Sequence, residues 1–361
     1  MDAPLLRFEA VRKPAIGLHG IDLDVPRGGC TVLLGPSGAG KTGVLRMLSG
    51  LASPDRGRVL LDGAELDRQP AGWRGFGVFQ PVESQRVNSL MRSRRVEQVV
   101  TEPVLALPAA QRAAHVARAL TQLGLDGQEA ARLSDLGPVP LRRVALARAL
   151  APQPAVLLLD EPLEGLDHAT RARLALEWRA LFRRIGLTTV LATREPGEAM
   201  LLADHIAVME AGEVVQQGTP QQVYDDPATG FVAGLLGENN RLPGTVMVLE
   251  GDECQVRLDC GPALWARRAD AAGPGSRCIV AIRPERVAVA AMSAEEMGEG
   301  ALESALRDAI FLGDHVRLLL ELGRGGVLVA KRPAGSRVPR IGGPCSVAWD
   351  PYAAFAFRAL R

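Results

Sequence analysis

Lysine is the scarcest charged residue in this chain, found only at positions 13, 41 and 331. Arginine supplies nearly all of the 42 basic side chains, and 41 acidic ones leave a formal net charge of +1. That balance excludes a general attraction to nucleic acid or to an anionic membrane surface, so any binding must come from local sites. Long apolar runs are also missing: stretches such as "AVLLL" at 155–159 fall far short of the roughly 20 residues a membrane-spanning helix needs. The opening "MDAPLLRFEA" carries an acid at Asp2 and no long apolar region, which reads as no secretory signal and predicts a cytoplasmic protein. No C-x-x-C pair occurs, and five cysteines, an odd number, argue against a disulfide framework. Cys30, Cys254, Cys260, Cys278 and Cys345 are therefore expected to be reduced and mostly buried. There is no low-complexity tract, and 47% hydrophobic with 23% charged residues is ordinary for a globular protein.

A length of 361 residues allows two domains. From about 5 to 235, β-branched or Leu-rich runs alternate with longer Ala/Arg/Leu segments. "CTVLLG" (30–35), "AVLLLD" (155–160) and "LTTVLAT" (187–193) read as buried strands, and "KTGVLRMLSGL" as a helix. The alternation predicts an α/β domain on a largely parallel sheet. From about 101 to 150 the strand signal disappears, and "AAQRAAHVARALTQLGL" has helical spacing, which predicts a helical insertion, a subdomain over about 81–152. Beyond 236, short Val-rich segments separated by Gly, Pro and Asp predict a smaller all-β domain, a barrel or sandwich, over 236–361. "GENNRLPG" (237–244) reads as the linker.

"GPSGAGKT", residues Gly35, Pro36, Ser37, Gly38, Ala39, Gly40, Lys41 and Thr42, fits G-x-x-x-x-G-K-[ST] between a strand and a helix. Glycines let the backbone wrap a phosphate chain, N–H groups and the helix N-terminus supply positive potential, and Lys41 neutralises the outer phosphates. Thr42 is expected to offer its hydroxyl to Mg²⁺. One of only three lysines falls at this position. "AVLLLDEP" (155–162) ends an apolar strand in Asp160 and Glu161, at the sheet edge where α/β proteins place ligands. Asp160 is expected to hold Mg²⁺ through water, and Glu161 to orient or deprotonate an attacking water.

With these motifs and the order of the segments after them, the first 235 residues resemble the nucleotide-binding subunit of an ATP-binding cassette transporter. "GVFQ" (77–80) looks like that family's Q-loop, which implies that Gln80 contacts Mg²⁺ or water and couples to membrane subunits. "EGLD" (164–167) looks like its D-loop, with Asp167 as the acid. The segment from "MEAGEVVQQGTPQQVYDDP" onward resembles the exit from this domain in importers of the polyamine, iron(III) and sulfate type. "VAIRPERVAVA", "FLGDHVRLLLEL" and "VAWDPYAAFAF" resemble their accessory OB-like β domain, the TOBE domain. The resemblance implies a P-loop NTPase fold, ATP and Mg²⁺ as ligands, and a location on the inner face of the cell membrane. It also implies permease subunits, a second ATP-binding subunit and, indirectly, a solute-binding protein as partners.

The chain departs from the family at several points. In the family each ATP also meets a serine-glycine-glycine turn, at a helix N-terminus of the facing subunit. Aligning "RVALARAL" (143–150) sets Leu136, Gly137, Pro138, Val139 and Pro140 against that signature, so two residues there have no N–H to donate. Pro140 suits the first position of the helix. Reading "LSDLG" (133–137) as a displaced signature built on Ser134 requires an extra helical turn, which the prolines oppose. Arg194 stands where the family usually has a histidine that touches the γ-phosphate; Arg can bind phosphate but does not exchange a proton near neutral pH. His205 reads as structural. Gly43 replaces a usual hydroxyl residue, and "RKPAIG" (12–17) lacks the aromatic that stacks on adenine, a contact worth on the order of 1–3 kcal/mol for nucleic-acid bases. "SLMRSRRVEQVVTEPV" (89–104) resembles oligopeptide-type subunits, which opens the substrate class. Its Arg92, Arg94 and Arg95 read equally as a dock for a membrane partner's helix or as a solvated basic surface.

Three functions are consistent with these residues. The first is the ATPase of a small-solute importer, polyamine-like as a first guess. The second is a weakly hydrolysing ATP-binding partner of an intact cassette subunit, and the third an ATP-switched regulator.

Overall fold

A computed structural model describes residues 4–66, 74–80, 93–271, 273–291 and 302–359. The chain packs as two units, 1–223 and 224–361. Composition places the boundary near 235, but the helix Gly230–Leu236 belongs with the second unit: Ala233 clusters with Ala281, Phe355 and Phe357.

The first unit is built on ten strands, β1 (Leu6–Lys13), β2 (Leu18–Val25), β3 (Cys30–Leu34), β4 (Arg56–Leu61), β5 (Ala64–Glu65), β6 (Phe76–Phe79), β7 (Val156–Asp160), β8 (Thr188–Thr193), β9 (His205–Glu210) and β10 (Glu213–Gly218). Their order across the sheet is β5-β4-β1-β2-β10-β9-β3-β8-β7-β6. The run β9-β3-β8-β7-β6 is parallel, with Val32 opposite Leu191 and Leu158 opposite Val190. Every residue of β3 and β8 is buried, as a parallel strand covered on both faces requires. β1, β2 and β4 pair antiparallel, which adds a flank the parallel motif does not predict.

The insertion is helical as expected, with helices at Val96–Thr101, Ala109–Gln122 and Pro138–Leu150. Arg94 is engaged within it, donating to the Gln98 carbonyl at 3.2 Å and pairing with Glu102 at 3.4 Å. The Arg95 N–H donates to Gln98 Oε1 at 2.9 Å, closing the first helical turn. Arg92 lies outside the described residues. No helix among the described residues is long and apolar enough to cross a membrane.

The second unit joins a closed five-stranded barrel to a five-stranded sheet. The barrel takes Asn240–Glu250, Glu253–Leu258, Ala263–Arg268, Arg277–Ile282 and Ala354–Arg358. One core serves both parts: Val246, Val256 and Val280 of the barrel pack with Leu306, Leu318 and Leu328 of the sheet. The "GENNRLPG" linker is a correction, because its last five residues open the first barrel strand. Pro243 faces Ile279 in register, and a Cβ on Gly244 would stand 2.6 Å from the Arg257 carbonyl oxygen. These residues serve close strand approach rather than a turn. All five cysteines are free thiols, four of them buried, and burial pushes Cys278 up to about 11.

Candidate functional site

β3 delivers the chain into Gly35–Gly40, where Gly38 and Gly40 take φ of +82° and +98°, values a side chain disfavours. Gly40 caps the helix Lys41–Leu48. Lys41 is only 6% exposed, and its Nζ donates to the carbonyls of Gly35 (2.7 Å) and Pro36 (2.9 Å), folding the side chain back over its own loop. Burial lowers its proton affinity, and Glu161 partly restores it.

Thr42 Oγ1 donates to Asp160 Oδ2 at 2.9 Å, so two elements far apart in sequence meet at one hydrogen bond. Burial raises the Asp160 carboxyl above its ordinary range, while the Thr42 hydrogen bond and Lys41 pull it down. A hydroxyl and a carboxylate are hard oxygen donors, and Mg²⁺ commonly takes one or two protein ligands beside substrate phosphates, so the pair fits that ion.

Glu161 follows β7 with φ +44°, its N–H bound to the Ala192 carbonyl at 2.9 Å. Arg194, just past β8, donates Nε to Glu161 Oε1 at 3.1 Å and its backbone N–H to Glu161 Oε2 at 3.3 Å. Its Nη2 also pairs with Glu164. Burial raises the Glu161 carboxyl; Lys41 and Arg194 oppose that rise. Lys41, Thr42, Glu161 and Arg194 line a cleft of about 470 Å³ that runs from Ile16 over Ser37–Gly43. An adjoining cleft of about 430 Å³ brings Gln80 onto the same wall as Thr42, Asp160 and Glu161. Gln80 Oε1 accepts from Arg148 Nη1 at 3.2 Å.

The other residues singled out in the sequence lie away from this cleft. Asp167 is the N-cap of the helix His168–Ile185, accepting from the Thr170 N–H at 3.0 Å; the Thr170 side chain first, and that N–H second, hold its carboxyl below the usual range. His205 begins β9 and is absent from the cleft lining; burial lowers its proton affinity. Leu136 and Gly137 are extended, and the helix begins at Pro138 rather than at Pro140 or later, with Gly137 as N-cap. Proline is tolerated because the first helical N–H groups have no partner within the helix. The first backbone bond is Leu141 N–H to the Gly137 carbonyl at 3.1 Å. Of the first three helical positions, only Val139 therefore carries an N–H. Ser134 lies in a separate 3₁₀ turn, Leu133–Asp135, donating to Asp135 at 2.8 Å, so it is not at a helix start.

Several contributors gave no signal in the sequence. Ile16 sits in the 3₁₀ turn Pro14–Ile16, where the aromatic is missing. That turn explains Gly43: a Cβ there would stand 2.7 Å from the Ile16 carbonyl oxygen. Arg148 joins Gln80 to Glu102, its Nη2 lying 3.3 Å from that carboxylate. Behind Arg194, Thr193 Oγ1 donates to the buried Glu198 at 2.7 Å, and burial lifts that carboxyl to about 7.

Comparison with known proteins adds independent findings. Residues 18–164 match the ABC transporter family model, and 280–357 match the TOBE domain model. The chain is 34% identical over 335 residues to the spermidine/putrescine import ATP-binding protein PotA of Pseudomonas fluorescens, covering 88% of this chain and 85% of that one. It is 35% identical over 337 residues to the Fe(3+) ions import ATP-binding protein FbpC of Rhizobium etli, covering 92% of each. Among solved structures, cbiO1 of Clostridium perfringens, part of the ABC transporter complex cbiONQ, superposes with a TM-score of 0.56 at 28% identity, over 62% of this chain and 91% of that one.

Proposed function

The chain belongs to the ABC transporter family as an importer-type ATP-binding subunit with a TOBE domain, and on that premise we propose how its own residues bind and cleave ATP. The observation that carries the reading is the convergence of Lys41, Thr42 and Glu161 on one cleft, with Asp160 bonded to Thr42 from the wall of the adjoining one.

The phosphate chain of ATP is received by the N–H groups of 35–42, and Lys41 exchanges its own loop carbonyls for phosphate oxygens. Thr42 and Asp160 would hold Mg²⁺, which would supply positive charge to screen the phosphates. Glu161, with a carboxyl raised by burial, takes the proton of the attacking water. Gln80 reports on the cleft through Arg148 and Glu102 to the helical insertion, the face turned to the permease subunits in this reading. The adenine rests on Ile16 in place of an aromatic. Energy from hydrolysis drives import of a small solute, with a polyamine as the first class to test because several relatives carry that name.

A second reading is favoured by the helix start at Pro138. With N–H groups missing at Pro138 and Pro140, this chain is a poor donor to the ATP of a facing copy, and a different subunit with a complete serine-glycine-glycine turn is the better partner. In such a pair this chain lends its phosphate loop and Glu161 to the competent site. The test is steady-state ATP hydrolysis by the chain alone, with its permease subunits, and with a second ATP-binding subunit. Activity only in the mixed complex, lost in Glu161→Gln, supports the heterodimer; activity of the chain alone at the mixed-complex rate refutes it. Lack of nucleotide binding that Lys41→Ala abolishes would sink both readings.

A further inference from the structure

We infer that Arg194 is a latch that holds the base Glu161 until a γ-phosphate displaces it, with Glu164 as the competing anchor that sets the threshold. The inference rests on the nucleotide reading above and adds to it a device specific to this chain.

The latch arises from the sheet. β7 and β8 are parallel neighbours with Asp160 opposite Ala192, so the residues just beyond them emerge side by side at the same edge. Glu161 is anchored there by its N–H to Ala192, and Arg194 reaches it by both backbone and side chain, engaging both carboxylate oxygens at 3.3 and 3.1 Å. The guanidinium also pairs with Glu164. One cation thus serves two carboxylates, and while its guanidinium holds Oε1 of the base, that oxygen and its negative charge are committed to Arg194 rather than to orienting and deprotonating a water.

Arg194 and Glu161 line the cleft that contains Ser37–Thr42, so a terminal phosphate bound by that loop enters the reach of the same guanidinium. Phosphate matches the planar fork of arginine as a carboxylate does and carries more charge. It therefore draws the guanidinium off the glutamates, which frees Glu161 Oε1 while the backbone N–H of Arg194 still positions Oε2, and puts a fixed positive charge on the group to be cleaved. A diphosphate lacks that terminal group and leaves the latch in place. The Arg194 side chain is 46% exposed and Glu164 58%, so the exchange needs no repacking of the core.

The exchange extends beyond the cleft. The Glu164 carbonyl accepts from Arg142 Nη2 at 2.8 Å, on the helix that starts at Pro138, so the segment Arg194 releases is tied to the helical insertion.

The test measures equilibrium affinities for ATP and ADP, by competition with a fluorescent nucleotide, for the full chain and for Arg194→Ala, Arg194→Lys, Glu164→Gln and the Arg194→Ala/Glu164→Gln double variant. Glu164→Gln removes a competitor for the guanidinium and is expected to tighten ATP by about fivefold, leaving ADP unchanged. Arg194→Ala is expected to weaken ATP by about tenfold with ADP unchanged, and Arg194→Lys to fall between. In the double variant the effect of Glu164→Gln should vanish. A Glu164→Gln effect equal on both nucleotides, or undiminished without Arg194, overturns the latch while leaving the nucleotide site intact. If the unaltered chain binds neither nucleotide, the functional reading itself fails.

Discussion

Restoring the two missing donors at the start of the helix Pro138–Leu150 tests the reading of this turn directly. The double substitution Pro138→Ala/Pro140→Ala returns an N–H to each position without the flexibility that glycine would add. Between Gly137 and Leu141 the present turn offers only Val139 N–H, since Leu141 N–H is already bonded to Gly137. A hydrogen bond to a charged group contributes roughly 1.5–3 kcal/mol, so two new donors aimed at a phosphate contribute about 3–6 kcal/mol. If they act in the transition state, the rate rises on the order of 10²–10⁴-fold. The assay is steady-state hydrolysis by a homodimeric complex with permease subunits, where the proposed arrangement turns this segment toward each ATP. ATP affinity of the isolated chain should not change, because none of 136–140 lines its own cleft. Unfolding measurements confirm that the variant keeps its helix. A correctly folded variant that hydrolyses ATP no faster than the parent would show that the turn does not meet a phosphate, and the case for a heterodimer built on its prolines would fall with it.

Two further predictions concern stability. Gly43→Ser puts a Cβ 2.7 Å from the Ile16 carbonyl oxygen, so the turn Pro14–Ile16 must shift; a loss of about 1–3 kcal/mol is expected, read as a lower denaturant midpoint, and a midpoint equal to the parent's would refute the contact. Glu198 has a folded-state carboxyl at about 7 against an ordinary 4.5, so the fold binds its proton more tightly than the unfolded chain does. Stability is then greatest below the ordinary value and falls by roughly 3 kcal/mol as pH rises through 7. Glu198→Gln should keep the Thr193 hydrogen bond and flatten that fall in urea unfolding between pH 4 and 8. Parallel curves for parent and variant would refute it.

The phosphate loop is legible because its function needs a fixed local order of glycines, a cation and a hydroxyl within eight residues, and chemistry written on a continuous segment survives being read as a string. The strands 30–34, 156–160 and 188–193 are legible for a related reason: a strand covered on both faces must be apolar throughout. Residues 237–244 mislead because Pro and Gly usually punctuate turns, whereas here they let two barrel strands approach. Pro138 misleads in the same way, since proline suggests a break although a helix start is where it costs least.

By itself, then, the sequence determined that this chain builds a glycine-rich loop with a lysine at the head of a helix and an acidic pair at a strand end, because each is a local pattern. Only the tertiary structure decided that Thr42 meets Asp160, that Arg194 holds Glu161 and Glu164, that Ile16 crowds Gly43 and that Arg148 reaches Gln80. The physical reason is the order of the sheet. Parallel neighbours come from distant segments, so the side chains at their common edge become partners through strand pairing that no local pattern encodes.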